Sequence, residues 1–163
     1  MNIAIFASGA GTNAENIARY FERKPKDKVT LILSNNPQAG VIAKARQLQV
    51  PVFVFTKEQL ETGTVLEILQ RQHIDFIVLA GFLKLIPESL LQEFPKRVIN
   101  IHPALLPKFG GRGMYGSRVH EAVKSSGDLE TGITIHYVNG NYDEGDVILQ
   151  VKEKVNLRDT VAD

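Results

Sequence analysis

Asn2-Ile3-Ala4-Ile5-Phe6-Ala7-Ser8-Gly9-Ala10-Gly11-Thr12-Asn13 follows the initial Met1. Its reading decides the fold. Residues 2–7 are an apolar run with the length and composition of a strand buried on both faces, the kind found in parallel sheets. Ser8-Gly9-Ala10-Gly11 then breaks the run, and from residue 14 the apolar positions recur at helical spacing, with Ile17, Tyr20 and Phe21 on one face. Strand, glycine loop and helix in that order gather several backbone N–H groups at a positive helix end, a cradle suited to a phosphate. Thr12 or Asn13 is expected to cap the helix. The glycines alone also permit a plain tight turn, or a dinucleotide loop of the G-x-G-x-x-A form. The dinucleotide form calls for an acidic residue at the end of the second strand. That strand ends Leu33-Ser34-Asn35-Asn36-Pro37, without one.

Outward from this unit the alternation repeats. Strands are predicted at residues 2–7, 29–34, 52–55, 76–80 and 98–101, and helices at 14–22, 41–48, 65–72 and 88–94, the last opened by Pro87. Residues 102–117 are rich in glycine and proline and read as a long loop, followed by a short helix at 118–124. Strands at 132–138 and 147–155 are joined by a polar connection at 139–146. Strands linked so closely pair antiparallel. The expected fold is single-domain α/β: a mostly parallel twisted sheet with helices on both faces and an antiparallel C-terminal strand pair. Residues 158–163 read as the first turn of a further helix, so residues 1–163 are expected to form one domain that lacks a C-terminal tail.

Bulk composition narrows the class. The 163 residues are 44% hydrophobic and 23% charged, as in ordinary globular domains. A net charge of +1 provides no general field for nucleic acid. The absence of cysteine excludes disulfides, thiolate metal sites and a cysteine nucleophile. The first residues lack the pattern of a signal peptide, and no apolar stretch approaches the roughly 20 residues of a membrane span. A cytoplasmic protein with small-molecule ligands, no nucleic-acid or membrane partner, and a monomeric or homodimeric state is expected.

The strongest chemical signal is Val98-Ile99-Asn100-Ile101-His102-Pro103. Residues two apart on a strand project to one side, so Asn100 and His102 share a volume. That volume lies beyond a C-terminal strand end, where open α/β sheets bind ligands. An amide donor and an imidazole suit a reaction that builds negative charge on a carbonyl oxygen and moves a proton. Taken singly, His102 can as well satisfy a local hydrogen bond, and Asp143 in Asn139-Gly140-Asn141-Tyr142-Asp143 can be a turn former. Placed near His102, Asp143 would orient the ring and favour its charged form.

These stretches, with Leu79-Ala80-Gly81-Phe82, Asn100-Ile101-His102-Pro103-Ala104-Leu105-Leu106-Pro107, Gly132-Ile133-Thr134-Ile135-His136 and Asp143-Glu144-Gly145-Asp146-Val147-Ile148-Leu149-Gln150, occur in an order that closely resembles the phosphoribosylglycinamide formyltransferases. The resemblance covers essentially the whole chain. It implies the transfer of a formyl group from 10-formyltetrahydrofolate, used as co-substrate, to the amine of glycinamide ribonucleotide, with no metal and no covalent enzyme intermediate. It implies that Gly11, Thr12 and Asn13 hold the substrate phosphate. Asn100, His102 and Asp143 match the catalytic trio, with Asn100 and protonated His102 donating to the oxyanion. Leu83, Lys84, Leu85 and Ile86, together with Asn100, Asn139, Gly140, Asn141, Tyr142 and Asp143, match the folate site. His136 occupies the position of a second histidine near that site. The sequence departs from the family in the long glycine-rich stretch 109–116 and in Ala104, where serine is common.

Two other formyl-folate activities share this chemistry, methionyl-tRNA formyl transfer and formyltetrahydrofolate hydrolysis. Each is expected to bring an added domain for which 163 residues leave no room. A non-catalytic folate- or nucleotide-binding module is the remaining alternative.

Overall fold

A computed structural model describes residues 1–156 and 158–163. β1 (Asn2–Phe6) alternates strictly between two cores: Ile3 and Ile5 enter one cluster, Ala4 and Phe6 the other. All four are nearly inaccessible to solvent, as the period of two demands for a strand covered on both sides. α1 (Thr12–Glu22) and α2 (Gly40–Gln47) cover the first face through Ala14, Val41 and Ala45. α3 (Lys57–Glu61), α4 (Thr64–Arg71) and α5 (Glu88–Glu93) cover the second through Leu60, Val65, Leu69 and Leu90.

With β2 (Lys28–Ser34), β3 (Val52–Val54), β4 (Phe76–Leu79), β5 (Val98–His102), β6 (Glu130–Tyr137) and β7 (Val147–Lys154), the sheet has seven strands in the order β3-β2-β1-β4-β5-β6-β7. The first five are mutually parallel. β6 runs antiparallel to both β5 and β7. α6 (Ser117–Ser126) precedes β6. The mostly parallel α/β sheet with an antiparallel C-terminal pair is therefore present. The chain winds outward from β1 to β3 and returns to β4 on the other side of β1. The loops after β1 and β4 diverge there and open a crevice at the strand ends.

Several local expectations are corrected. α1 starts at Thr12, and its N-cap is Gly11 in a left-handed conformation (φ 75) with no side-chain cap bond, so neither Thr12 nor Asn13 caps it. Glycine does this because a Cβ on residue 11 would lie 2.5 Å from Val41 Cβ. Tyr20 is 60% exposed and packs edge-on against Phe21, while Ala14 and Ala18 make the buried contact. Small residues there let α1 sit close to the sheet. α3 was not expected, although Thr56 and Gln59 form a reciprocal capping box that starts it. β5 extends through His102, and α6 is longer at both ends than residues 118–124. Residues 158–163 form turns closed by Asp159 N–H to Asn156 and Asp163 N–H to Thr160, rather than a helical turn. No helix among the described residues is long and apolar enough to cross a membrane.

Candidate active site

The crevice is a cavity of about 890 Å³ at the C-terminal ends of β1, β4 and β5. Its floor rests on the second core, where Phe82 packs edge-on against Phe6 at 5.3 Å. The nearly buried Ser8 ties the two diverging loops together. Its hydroxyl donates to Asn35 Oδ1 (2.6 Å) and accepts from the Leu83 N–H (3.1 Å).

The glycine loop forms one wall. Glu15 N–H is the first to bond back, to Gly11 O at 2.9 Å. The N–H groups of Thr12, Asn13 and Ala14 therefore have no partner in the helix, as at any helix start. Gly11 and Asn13 line the cavity, and Thr12 does not. Glu15 in the same turn is held ionised by Lys44 and Arg19, which also neutralise it.

On the opposite side the three distant groups converge. Asp143 Oδ1 lies 3.2 Å from Asn100 Nδ2 and 3.3 Å from His102 Nδ1, and its Oδ2 accepts from the Gly111 N–H at 2.9 Å. His102 is 3% exposed, and its Nε2 sits 2.7 Å from the Phe109 carbonyl. A carbonyl only accepts, so Nε2 carries a proton. With the carboxylate at Nδ1 as well, both ring nitrogens face acceptors. Burial works against the charge on Asp143. The His102 and His136 rings beside it, the Gly111 N–H and the His102 charge outweigh that and hold its pKa well below the usual carboxylate range. Asp143 adopts a left-handed backbone (φ 56), a conformation Asp and Asn tolerate better than most residues. Gly145, two residues on, lies against the Tyr137 carbonyl, where a Cβ would sit 1.6 Å from the oxygen. That close approach lets the loop after β6 turn Asp143 back over β5.

Leu83, Lys84, Leu85, Ile86, Asn139, Asn141 and Tyr142 line the same cavity, and Gly140 does not. Leu83 and Leu85 are 38% and 43% exposed despite being hydrophobic. Tyr142 OH donates to Leu83 O at 3.5 Å and bridges the two segments. Apolar side chains with nearby amides suit a flat heteroaromatic ring. Reading the sequence missed Ser8, Asn35, Arg112, Tyr115, Arg118 and His120 on these walls. Arg118 stacks over the Tyr115 ring at 5.1 Å. Lys84, Arg112 and Arg118 face a single lining carboxylate, Asp143, so the cavity favours anionic ligands. Arg112 inside a glycine-rich loop after a strand end, with Arg118 in the first turn of the following helix, was the available signal.

Fold and site together define an α/β protein whose cavity, lined by three basic side chains, holds an amide–imidazole–carboxylate cluster. The family model for formyl transferases matches residues 1–163. The chain is 42% identical over 165 residues to the chloroplastic phosphoribosylglycinamide formyltransferase of Arabidopsis thaliana, covering 97% of this chain and 56% of that protein. It is 35% identical over 164 residues to the phosphoribosylglycinamide formyltransferase of Bacillus subtilis, covering 97% and 82%. The phosphoribosylglycinamide formyltransferase structure from Bacillus halodurans superposes with a TM-score of 0.87 at 32% identity, over 99% of this chain and 84% of that one. A formyltetrahydrofolate deformylase structure from Pseudomonas syringae shares the fold at a TM-score of 0.81 and 22% identity. The chain spans about half the length of the two plant relatives it matches, 56% and 53%. It belongs to the formyl transferase family.

Proposed function

We propose that this chain transfers the formyl group of 10-formyltetrahydrofolate to the amine of glycinamide ribonucleotide in purine biosynthesis. The observation that carries this reading is the meeting of Asn100, His102 and Asp143 on one wall of a cavity whose other wall is a glycine-loop helix start. Gly11 and Asn13, with the free N–H groups of the first turn, hold the phosphate. Leu83, Lys84, Leu85, Ile86 and residues 139–143 hold the folate. Residues 1–163 act as one formyltransferase domain on small molecules in the cytoplasm, as a monomer or homodimer, without nucleic-acid or membrane partners.

Formyl folate supplies a carbonyl carbon bonded to nitrogen. A bond forms from the substrate amine to that carbon, the carbonyl electron pair moves onto oxygen, and the carbon–folate nitrogen bond then breaks. One amine proton ends on the departing nitrogen. His102 supplies the donor for the charged oxygen, its Nε2–H passing to that oxygen from the Phe109 carbonyl. One well-aimed donor is worth about 3 kcal/mol. Asp143 balances the imidazolium charge and keeps the ring turned toward the cavity. Neither a metal nor a covalent enzyme adduct enters this sequence.

A formyl-transfer assay with both substrates tests the reading. Transfer is expected, with His102→Ala losing most of kcat and Asn13→Ala mainly raising KM for glycinamide ribonucleotide. Formate release that does not depend on glycinamide ribonucleotide would replace the reading with hydrolysis. Binding without either reaction would leave a non-catalytic module.

A further inference from the structure

A phosphate monoester carries about 1.5 to 2 negative charges at pH 7. The glycine-loop wall meets it with the N–H groups of a helix start, equivalent to roughly half a positive charge. No cationic side chain on that wall is left to supply the remainder. The one acid in the first turn of α1 is Glu15, and both Lys44 and Arg19 are spent on it. The balancing charge has to come from another part of the cavity.

Lys84, Arg112 and Arg118 line that cavity, and none of them has a carboxylate partner among the described residues. The one carboxylate on the walls, Asp143, is already met by Asn100, His102 and the Gly111 N–H. Lys84 lies within the segment assigned to the folate. Arg112 sits between Gly111 and Gly113, both at positive φ, and no ring contact holds its side chain among the described residues. Arg118 is held. It is the second residue of α6, next to Val119, which is fully buried and fixes the helix in place. Its guanidinium stacks over the Tyr115 ring at 5.1 Å, and Tyr115 lines the same cavity. The chain turns between the two at Gly116, whose φ of 56 and ψ of −139 glycine alone adopts readily. Stacking occupies the flat face of a guanidinium and leaves its N–H edge for an anion.

We propose that Arg118, held against Tyr115, is the cation that binds the substrate phosphate together with the glycine-loop cradle. This deepens the formyl-transfer reading and rests on it for the identity of the phosphate as that of glycinamide ribonucleotide. The two parts divide the work: the N–H groups of α1 fix where the phosphate sits, and the guanidinium fork supplies charge and pairs with two of its oxygens. The Tyr115 ring restricts the arginine before the ligand arrives, so less side-chain freedom is lost on binding. The glycine-rich stretch 109–116 carries Tyr115 and leads into Arg118. Its near end is fastened to the reacting groups, through the Phe109 carbonyl at His102 and the Gly111 N–H at Asp143. One short segment thus contributes to both the phosphate and the formyl ends of the site.

Two measurements on the full 163-residue chain test this, one of them independent of activity. Arg118 is exposed, so Arg118→Met leaves the core intact, and circular dichroism checks the fold of every variant. In a calorimetric titration with inorganic phosphate, Arg118→Met should weaken binding by roughly 10- to 100-fold. Equal phosphate affinity in parent and variant would overturn the assignment whatever the enzyme catalyses. In the transfer assay the same variant should raise KM for glycinamide ribonucleotide by a similar factor, with kcat and KM for formyl folate within about twofold. The fall of kcat/KM with added salt should also be shallower than in the parent. A rise confined to KM for formyl folate would overturn the proposal and place the arginine at a folate carboxylate. Tyr115→Phe keeps the ring and should behave as the parent, whereas Tyr115→Leu should raise KM for glycinamide ribonucleotide by about 2- to 5-fold. Equal effects of Phe and Leu would overturn the stacking role. If even the unaltered chain transfers no formyl group, the formyl-transfer reading fails while the phosphate titration still decides the role of Arg118.

Discussion

Asp143→Asn is the most informative single perturbation of the cluster, because it removes charge while keeping shape. Residue 143 sits at φ 56, and Asn tolerates that left-handed backbone as well as Asp does, whereas Ala there would add strain unrelated to the question. The side chain touches three donors: Asn100 Nδ2 and His102 Nδ1 at one oxygen and Gly111 N–H at the other. A neutral amide can accept with only one of its two ends, so at least one donor is left facing an N–H. Between His102 and Asp143, 3% and 10% exposed and 3.3 Å apart, a charge pair at an effective dielectric of about 20 is worth about 5 kcal/mol. Desolvation of both ions offsets a large part of this, leaving about 2–4 kcal/mol. At 1.36 kcal/mol per decade, kcat should fall by about 30- to 1,000-fold. KM for glycinamide ribonucleotide should change little, because the proposed phosphate cradle is on the far wall. The same substitution makes a stability prediction whose sign follows from the depressed pKa of Asp143. The contribution is fully present above the unfolded carboxylate value of about 4 and is lost as pH falls from there toward the folded value. Urea denaturation should therefore show the variant less stable than the parent at pH 7, with the gap closing in increasingly acidic buffer. A kcat within threefold of the parent, or a stability gap that widens as pH falls, would refute the charge-pair account.

Gly11→Ala should destabilise the chain by about 2–4 kcal/mol in urea titrations, combining the clash with Val41 Cβ at 2.5 Å and the φ of 75. Adding Val41→Ala should recover little, because alanine keeps the Cβ at 2.5 Å and the backbone Cα at 2.7 Å; full recovery would refute the clash with those atoms. Thr134→Val should cost about 2–4 kcal/mol, because the buried Thr134 hydroxyl donates to Ala104 O at 2.7 Å and accepts from Leu106 N–H and Gln150 Nε2, each at 3.0 Å. A loss under 0.5 kcal/mol would mean that those partners find other bonds.

The parts of this molecule legible in its sequence are those where the pattern repeats on a scale shorter than one element. The apolar run of β1 is readable because Ile3 to Phe6 are all buried, and Asn100 and His102 can be placed together because the strand period alone puts them on one side. What could not be read depends on contacts across elements. No local feature says that Gly11, rather than Thr12, precedes the first helical residue; the reason is Val41, thirty positions away on α2. Tyr20 fits the apolar spacing of α1, yet two alanines make the contact, since the distance between helix and sheet sets how much side chain fits between them.

The same division explains why the residues of the cluster could be named while their contacts could not. The sequence supplies an amide and an imidazole two positions apart on one strand. What that amide meets is set by His136 across the strand pair and by Asp143 forty-three residues away. An amide has a donor end and an acceptor end of nearly equal size, so its function depends on its neighbours' protonation more than on its own identity. Asp143 requires donors toward it because its carboxylate is held ionised, and the Asn100 and Gly111 N–H groups supply them. A short polar network can thus fix the orientation of a polar side chain as firmly as packing fixes the place of a core one.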